Sequence, residues 1–265
     1  MRVHTRIIDI DDRSPQESAV EEVSAILKAG GVVAVPTETV YGLAADALNP
    51  AAVRRIFEAK GRPADNPLIV HIASEAMLPS LVKSIPVGAV RLARRFWPGP
   101  LTMVLEKSSV IPDETSAGLP TVGIRMPSHP VVRSIILQSG LALAAPSANR
   151  SGAPSTTTAE HCIEDLDGRV DAIVRSGPSS VGVESTVISL AQTPPRLLRP
   201  GAVTLEMLRE ELGEVAVDEA VTGPIDSANR ASAPGMKYRH YAPKARVQLV
   251  RGDVESFTWY VNAHA

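Results

Sequence analysis

Three features of the sequence predict an α/β fold, an open sheet of largely mixed strands flanked by helices. Short apolar runs such as "VVAVP" and "PLIVHIA" alternate with amphipathic segments almost throughout, the pattern of a sheet covered by helices. "VVAVP" is fully apolar rather than alternating, as in strands buried on both faces. Several strand pairs, among them "LTMVLE" with "TVGIRM", have no helix between them, so the sheet is mixed rather than purely parallel.

In chain order, Ser14 as N-cap, Pro15 at the first helical position and Glu17 as the far half of a capping box signal the first helix. Val20, Val23 and Leu27 share one face, and Gly30-Gly31 stop it. "VVAVP" follows as a buried strand. Asn49 and Pro50 open a second helix, with Val53, Ile56 and Phe57 apolar and Gly61 at its end. "PLIVHIA" is a strand, "GAVRLARRFW" a helix, "LTMVLE" and "TVGIRM" strands, "PVVRSIILQSG" a helix and "LALAAP" a strand. "TTTAEHCIEDL" reads as a helix, "DAIVRSG" as a strand, "STVISL" with "PRLLRPG" as a hairpin-like pair, and "TLEMLREELG" as the closing helix. Near residue 214 small and turn residues take over, the composition of a linker. The division expected is a main domain over 1–213, a linker over 214–245 and a stub over 246–265, where "ARVQLVRGD" begins a strand at most.

A chain of 265 residues, 44% hydrophobic and 21% charged with a net charge of −2, has an ordinary globular composition. It lacks the basic surplus that nucleic-acid and membrane binders usually carry. "MRVHTRIIDIDD" has no apolar signal-peptide core and no apolar run approaches membrane-spanning length, so a cytoplasmic protein is expected. The single cysteine, Cys162, excludes an internal disulfide and a thiolate zinc cluster.

Polar residues and glycines gather just after the expected strands, where open α/β sheets place their ligand crevice. Thr37, Glu38 and Thr39 follow the first buried strand, and a polar turn explains them as well as a site does. Lys60 and Arg62 lie on a turn stiffened by Pro63 and Pro67, ahead of His71 on a strand. Arg125, at the end of an apolar strand, needs an anionic partner; a protein carboxylate and a ligand both remain open. "LALAAPSANRSGAPSTT" breaks from an apolar strand into hydroxyls, amides and glycine, suited to phosphate or carboxylate. Arg199 in "LLRPG" follows another strand. Gly177 and Gly182 have P-loop spacing, but Val183 and Glu184 stand where that motif needs Lys and Ser or Thr. GxGxxG before a helix, HExxH and GxSxG are absent from the sequence. Four cations, Lys60, Arg62, Arg125 and Arg199, converging on one cavity would make it cationic, suited to a polyphosphate or similar small anion.

In order, "PTETVYGLAADA", "KGRPADNPLIVHI", "FWPGPLTMVL", "VGIRMPSHP", "APSANRSGAPS", "GVESTVISL" and "LLRPG" resemble the YrdC family of threonylcarbamoyl-AMP synthases, from about Ile7 to Pro243. The resemblance implies a YrdC-like open twisted sheet with a cationic central cavity. It implies synthesis of L-threonylcarbamoyl-AMP from L-threonine, bicarbonate or CO2, and ATP, with pyrophosphate released. The product would pass to a separate transferase that makes N6-threonylcarbamoyladenosine in tRNA. It further implies that Thr39, His71, Arg125, the Ala145 backbone and Ser185 hold threonine and its carbamate. Arg62, Asn66, Thr121, Ser147, Ser155 and Arg199 would hold ATP, with Lys60 near the phosphates. Lys60 and Arg62 would act electrostatically, without a covalent nucleophile, and Glu38 and His71 are candidate proton handlers. Mg²⁺ would arrive on the triphosphate, with no metal ligands from the protein. "YRHYAP" resembles a segment that folds back over the active site in the long form of the family, with Tyr241 contacting the nucleotide. That long form continues into a further Rossmann-like domain, whereas this sequence stops at Ala265.

Two other readings compete. A carbamoyl transferase of the hydrogenase-maturation or antibiotic type carries a related domain, but with further domains, some with zinc-binding cysteines, against which stands the single cysteine in 265 residues. An RNA-binding module would use the cationic concavity without catalysis, against which stand the aromatic content of 3% and the net charge of −2.

Overall fold

The computed structural model describes residues 3–222 and 249–264. β1 (Arg6–Asp9), α1 (Glu17–Lys28), β2 (Val33–Val35) and β3 (Gly42–Asp46) come first. They are followed by α2 (Pro50–Lys60), β4 (Ile69–His71), α3 (Leu78–Leu81), α4 (Val87–Phe96) and β5 (Leu101–Glu106). Next are α5 (Asp113–Ser116), β6 (Thr121–Arg125), α6 (Pro130–Ser139), β7 (Leu143–Ala144), α7 (Ala159–Leu166) and β8 (Ala172–Arg175). β9 (Thr186–Ser189), β10 (Arg196–Arg199), α8 (Leu205–Leu212), β11 (Ala216–Val217), α9 (Glu219–Thr222) and α10 (Val254–His264) complete the series.

The strands form one mixed sheet in the order β1-β8-β2-β3-β7-β4-β6-β5-β9-β10-β11. β1, β8 and β2 run parallel, β2 and β3 antiparallel, and β4 and β6 parallel. β5 is antiparallel to β6 and parallel to β9, and β9 and β10 form the antiparallel pair expected of the hairpin-like segment. Both faces are covered, as the apolar runs require. Val33 and Val35 pack into a cluster with Val20, Val23 and Leu27 of α1 and Val132 and Ile136 of α6. Val32 and Ala34 join the opposite cluster, with Ile56 of α2, Leu92 of α4 and Leu208 of α8.

Several elements differ from the sequence reading. α1 begins at Glu17, with Gln16 in the N-cap position and no side-chain cap. Ser14 and Pro15 therefore precede the helix, and the Gln16 side chain instead accepts the Asp11 N–H at 3.2 Å. α2 follows the expectation: the Asn49 side chain accepts from the Ala51 and Ala52 amides, and Gly61, at φ 62°, closes it in the left-handed region. β1 and β3 were not anticipated. β3 lies inside "PTETVYGLAADA", where Gly and Ala, poor strand formers in isolation, are needed for close approach. A Cβ on Gly42 would stand 3.2 Å from that of Ala145. β11 falls inside the expected linker. Of the strand expected over 245–253, residues 245–248 lie outside the described residues; Leu249 and Val250 make no strand, and Val254–His264 is helical.

Candidate active site

Segments leaving or entering the central strands meet at one open crevice. Thr39 and Val40 come from the turn between β2 and β3, and Arg62 from the turn after α2. Ile69 and His71 belong to β4, and Arg125 ends β6. Ala145, Pro146, Ser147, Asn149, Ala153 and Ser155 lie between β7 and α7, Glu184 and Ser185 just ahead of β9, and Arg199 ends β10. Three guanidiniums and one carboxylate face this space, so its charged lining is cationic inside a slightly acidic chain.

Arg125 has the carboxylate partner its burial demands. Its Nη2 stands 2.7 Å from Glu38 Oε1, with both side chains about 5% exposed. The N–H is not aimed as a hydrogen bond, and neither Glu38 oxygen has a hydrogen-bond partner among the described residues. Arg125 Nε donates to the Gly99 carbonyl at 3.3 Å. A buried pair without directed hydrogen bonds is poorly compensated for desolvation, so the guanidinium keeps donor capacity toward the crevice. His71 sits beside it on the neighbouring strand, where the two residues are register partners. Burial, then the Arg125 charge, push the His71 pKa down to about 3, and its Nδ1 is 3.3 Å from the Ile69 carbonyl. The imidazole is therefore neutral at physiological pH.

Lys60 stands behind the wall rather than in it. Its ammonium donates to the carbonyls of Ser147 and of Asn149, the latter at 2.6 Å, and approaches Asn149 Oδ1 at 3.5 Å. The Asn149 amide in turn donates to the Arg150 and Ala153 carbonyls at 2.8 and 2.7 Å. Burial, then the Arg62 charge, draw the Lys60 pKa down to about 7, while these oxygen acceptors favour the ammonium form. The lysine thus fixes the Ser147–Asn149 segment that lines the crevice. Arg62 lies over the Phe57 ring, 5.9 Å from its centroid, and its Nη2 reaches the Asn66 carbonyl at 3.4 Å. The Asn66 carboxamide is fully buried, and both its polar atoms lack a partner among the described residues.

On the opposite side the polar groups are already paired. Ser185 Oγ lies 2.8 Å from Thr102 Oγ1 and accepts from Arg199 Nη2 at 3.1 Å, while Arg199 Nε donates to the Ser185 carbonyl at 3.0 Å. Ser155 Oγ donates to Glu184 Oε1. Thr39 Oγ1 is 3.0 Å from Thr37 Oγ1, which donates to the Val40 carbonyl at 2.6 Å. Gly201 leaves no room for a side chain: its Cβ would fall 2.6 Å from the Thr186 nitrogen and 2.7 Å from the Glu184 carbonyl.

A family model for Sua5, YciO and YrdC proteins, described as "Telomere recombination", matches residues 25–201. The chain belongs to the Sua5/YrdC family. A second model, "Threonylcarbamoyl-AMP synthase, C-terminal domain", matches residues 203–262, across the segment read from sequence as linker and stub. The threonylcarbamoyl-AMP synthase of Pyrococcus abyssi is 52% identical over 248 residues, covering 94% of this chain and 72% of that protein. The synthase of Bacillus subtilis is 48% identical over 257 residues, covering 96% and 73%. The crystal structure of P. abyssi Sua5 complexed with L-threonine superposes with a TM-score of 0.93 at 49% identity, covering 98% of this chain and 75% of that one.

Of the residues that the sequence pointed to in this Sua5/YrdC chain, Thr39, His71, Arg125, Ala145 and Ser185 share the crevice with Arg62, Ser147, Ser155 and Arg199. Lys60 and Asn66 lie behind the lining. Thr121 starts β6, at the far end of the strand from Arg125, and is not in the lining. Tyr241 lies outside the described residues. The sequence reading assigned no ligand role to Asn149 and Glu184. Asn149 was visible only as one polar residue in a loop, and Glu184 only as a misfit to the P-loop pattern. No helix among the described residues is long and apolar enough to cross a membrane.

Proposed function

We propose that this chain is a cytoplasmic L-threonylcarbamoyl-AMP synthase, joining L-threonine, bicarbonate or CO2, and ATP with release of pyrophosphate. The observation that carries the reading is the single crevice in which one set of family-type residues, Thr39, His71, Arg125, Ala145 and Ser185, adjoins a second, Arg62, Ser147, Ser155 and Arg199. A carboxylate, a carbamate and a triphosphate repel one another, so bringing them together requires fixed cations and oriented donors. Arg125 receives the threonine carboxylate while Glu38 holds the guanidinium from behind. The threonine ammonium releases a proton to solvent, the free amine attacks CO2 and loses a second proton as the carbamate forms, and a carbamate oxygen then attacks the α-phosphorus as pyrophosphate leaves. Neutral His71 offers an uncharged imidazole beside these anions. Arg62, Ser147, Ser155 and Arg199 hold the nucleotide from the crevice, Asn66, Thr121 and Tyr241 meet the part of it that extends beyond, and Lys60 holds the segment bearing Ser147.

Mg²⁺ enters on the triphosphate. Glu38 is engaged with Arg125 and Glu184 with Ser155, and neither offers the set of oxygens that a hard cation takes. The adenylate is consumed by a separate transferase acting on adenosine 37 of tRNA. Pyrophosphate release from Mg-ATP and bicarbonate tests the reading: it is expected to require L-threonine and to yield a product with the mass of threonylcarbamoyl-AMP. Release independent of threonine, or turnover of carbamoyl phosphate in its place, would contradict it.

A further inference from the structure

The lining has one carboxylate among the described residues, Glu184, against the guanidiniums of Arg62, Arg125 and Arg199. An acid is unexpected where every phosphate, carboxylate and carbamate would be repelled by it. Its position is nevertheless firmly built. Its carbonyl is closely approached by Gly201. The loop leading to it is tied down by the Tyr41 hydroxyl, 3.0 Å from both the Ser176 and Gly177 carbonyls, and by Ser179 Oγ donating to the Thr37 carbonyl at 2.9 Å. The side chain accepts from Ser155 Oγ, and its backbone neighbour is Ser185.

Besides the Mg²⁺ carried by the triphosphate, the substrates bring one cationic group into this space, the α-ammonium of threonine. We infer that Glu184 is the seat of that ammonium, a specificity-determining residue that selects an amino acid over other small carboxylates. The inference rests on the synthase reading. Glu184 stands between Ser185, assigned to threonine, and Ser155, assigned to the nucleotide. An amine held there lies between its own carboxylate site and the phosphate that its carbamate will attack. The remaining lone pairs of Glu184 can accept ammonium N–H groups, and a charge-assisted bond of this kind discriminates by about 10- to 100-fold.

Calorimetric titration of the 265-residue chain tests this, with L-threonine, (R)-3-hydroxybutyrate and Mg-ATP against the wild type, Glu184→Gln and Glu184→Asp. (R)-3-Hydroxybutyrate keeps the carboxylate and hydroxyl of threonine but lacks the amine. Glu184→Gln is expected to weaken threonine about tenfold or more, leaving the hydroxy acid and Mg-ATP within about twofold, and Glu184→Asp is expected to recover part of the loss. Equal weakening of threonine and hydroxy acid would mean a structural role and overturn the inference. Unchanged threonine binding would overturn it as well. Weakened Mg-ATP with unaltered threonine would assign the carboxylate to the ribose hydroxyls instead. A wild type that binds no threonine would remove the synthase reading itself, and this inference with it.

Discussion

The two walls of the crevice differ in how far the protein completes its own polar groups. On the wall proposed for threonine, Thr39, Ser185 and His71 are each held by a protein atom within 3.3 Å. Of the residues proposed for the nucleotide, Ser155 and Arg199 are paired as well, whereas Asn66, behind the lining, is fully buried with a carboxamide that meets no partner among the described residues. Leaving a buried amide unbonded costs about 1–3 kcal/mol, a cost that a ligand can remove. The lesson is that the groups proposed for threonine are preorganised by the fold, while the stretch around Asn66 is left for a ligand to complete. Arg125 and Glu38 stand between these cases, paired in charge but not by a directed hydrogen bond.

The largest effect is expected at that pair. Arg125→Met should lower kcat/KM for threonine on the order of a thousandfold, and by stranding the Glu38 charge should also cost about 3–5 kcal/mol of stability. In the Glu38→Met/Arg125→Met double variant, melting should recover most of the stability while turnover stays absent. Recovery of both would make the pair merely structural. Lys60→Met comes next. Each buried carbonyl that loses its donor costs about 1–3 kcal/mol, and slackening the Ser147–Asn149 segment should cost about a hundredfold in kcat/KM. Thermal melts and steady-state rates check both. Asn66→Ala should behave oppositely, raising the KM for ATP about tenfold with stability unchanged or increased; a large fall in melting temperature would erase the contrast between the walls. The pH dependence of stability follows from His71. The His71 pKa is lowered by burial from 6.5 to about 3, so the unfolded chain binds the extra proton first. Its contribution is complete above about pH 6.5 and is lost progressively as pH falls toward 3. Urea melts across that range should show a shallower decline in His71→Gln than in the wild type.

Much of this was legible in the sequence, for identifiable reasons. Asn49, Pro50 and Gly61 delimit α2 because capping and left-handed closure are local chemistry written in adjacent residues. The strand-end positions of His71, Arg125 and Arg199 were readable because strands bound the loops that carry sites. β3 was not, because Gly42 and its alanines are chosen for close approach to Ala145, a neighbour more than a hundred residues away. Ser14 and Glu17 have capping-box spacing, yet α1 begins at Glu17, since local spacing does not decide where the chain turns in from β1. Lys60 was read as a cation for phosphates, and only the tertiary fold brings the carbonyls of Ser147 and Asn149 to it. Glu184 was hidden for the same reason, its meaning depending on the three arginines across the crevice.

Amide hydrogen exchange with and without Mg-ATP measures the difference between the walls most directly. Mg-ATP alone is expected to slow exchange over residues 61–67 at least about tenfold, while residues 37–41 change by less than about twofold. Equal slowing of both segments, or none over 61–67, would contradict a stretch around Asn66 completed by its ligand.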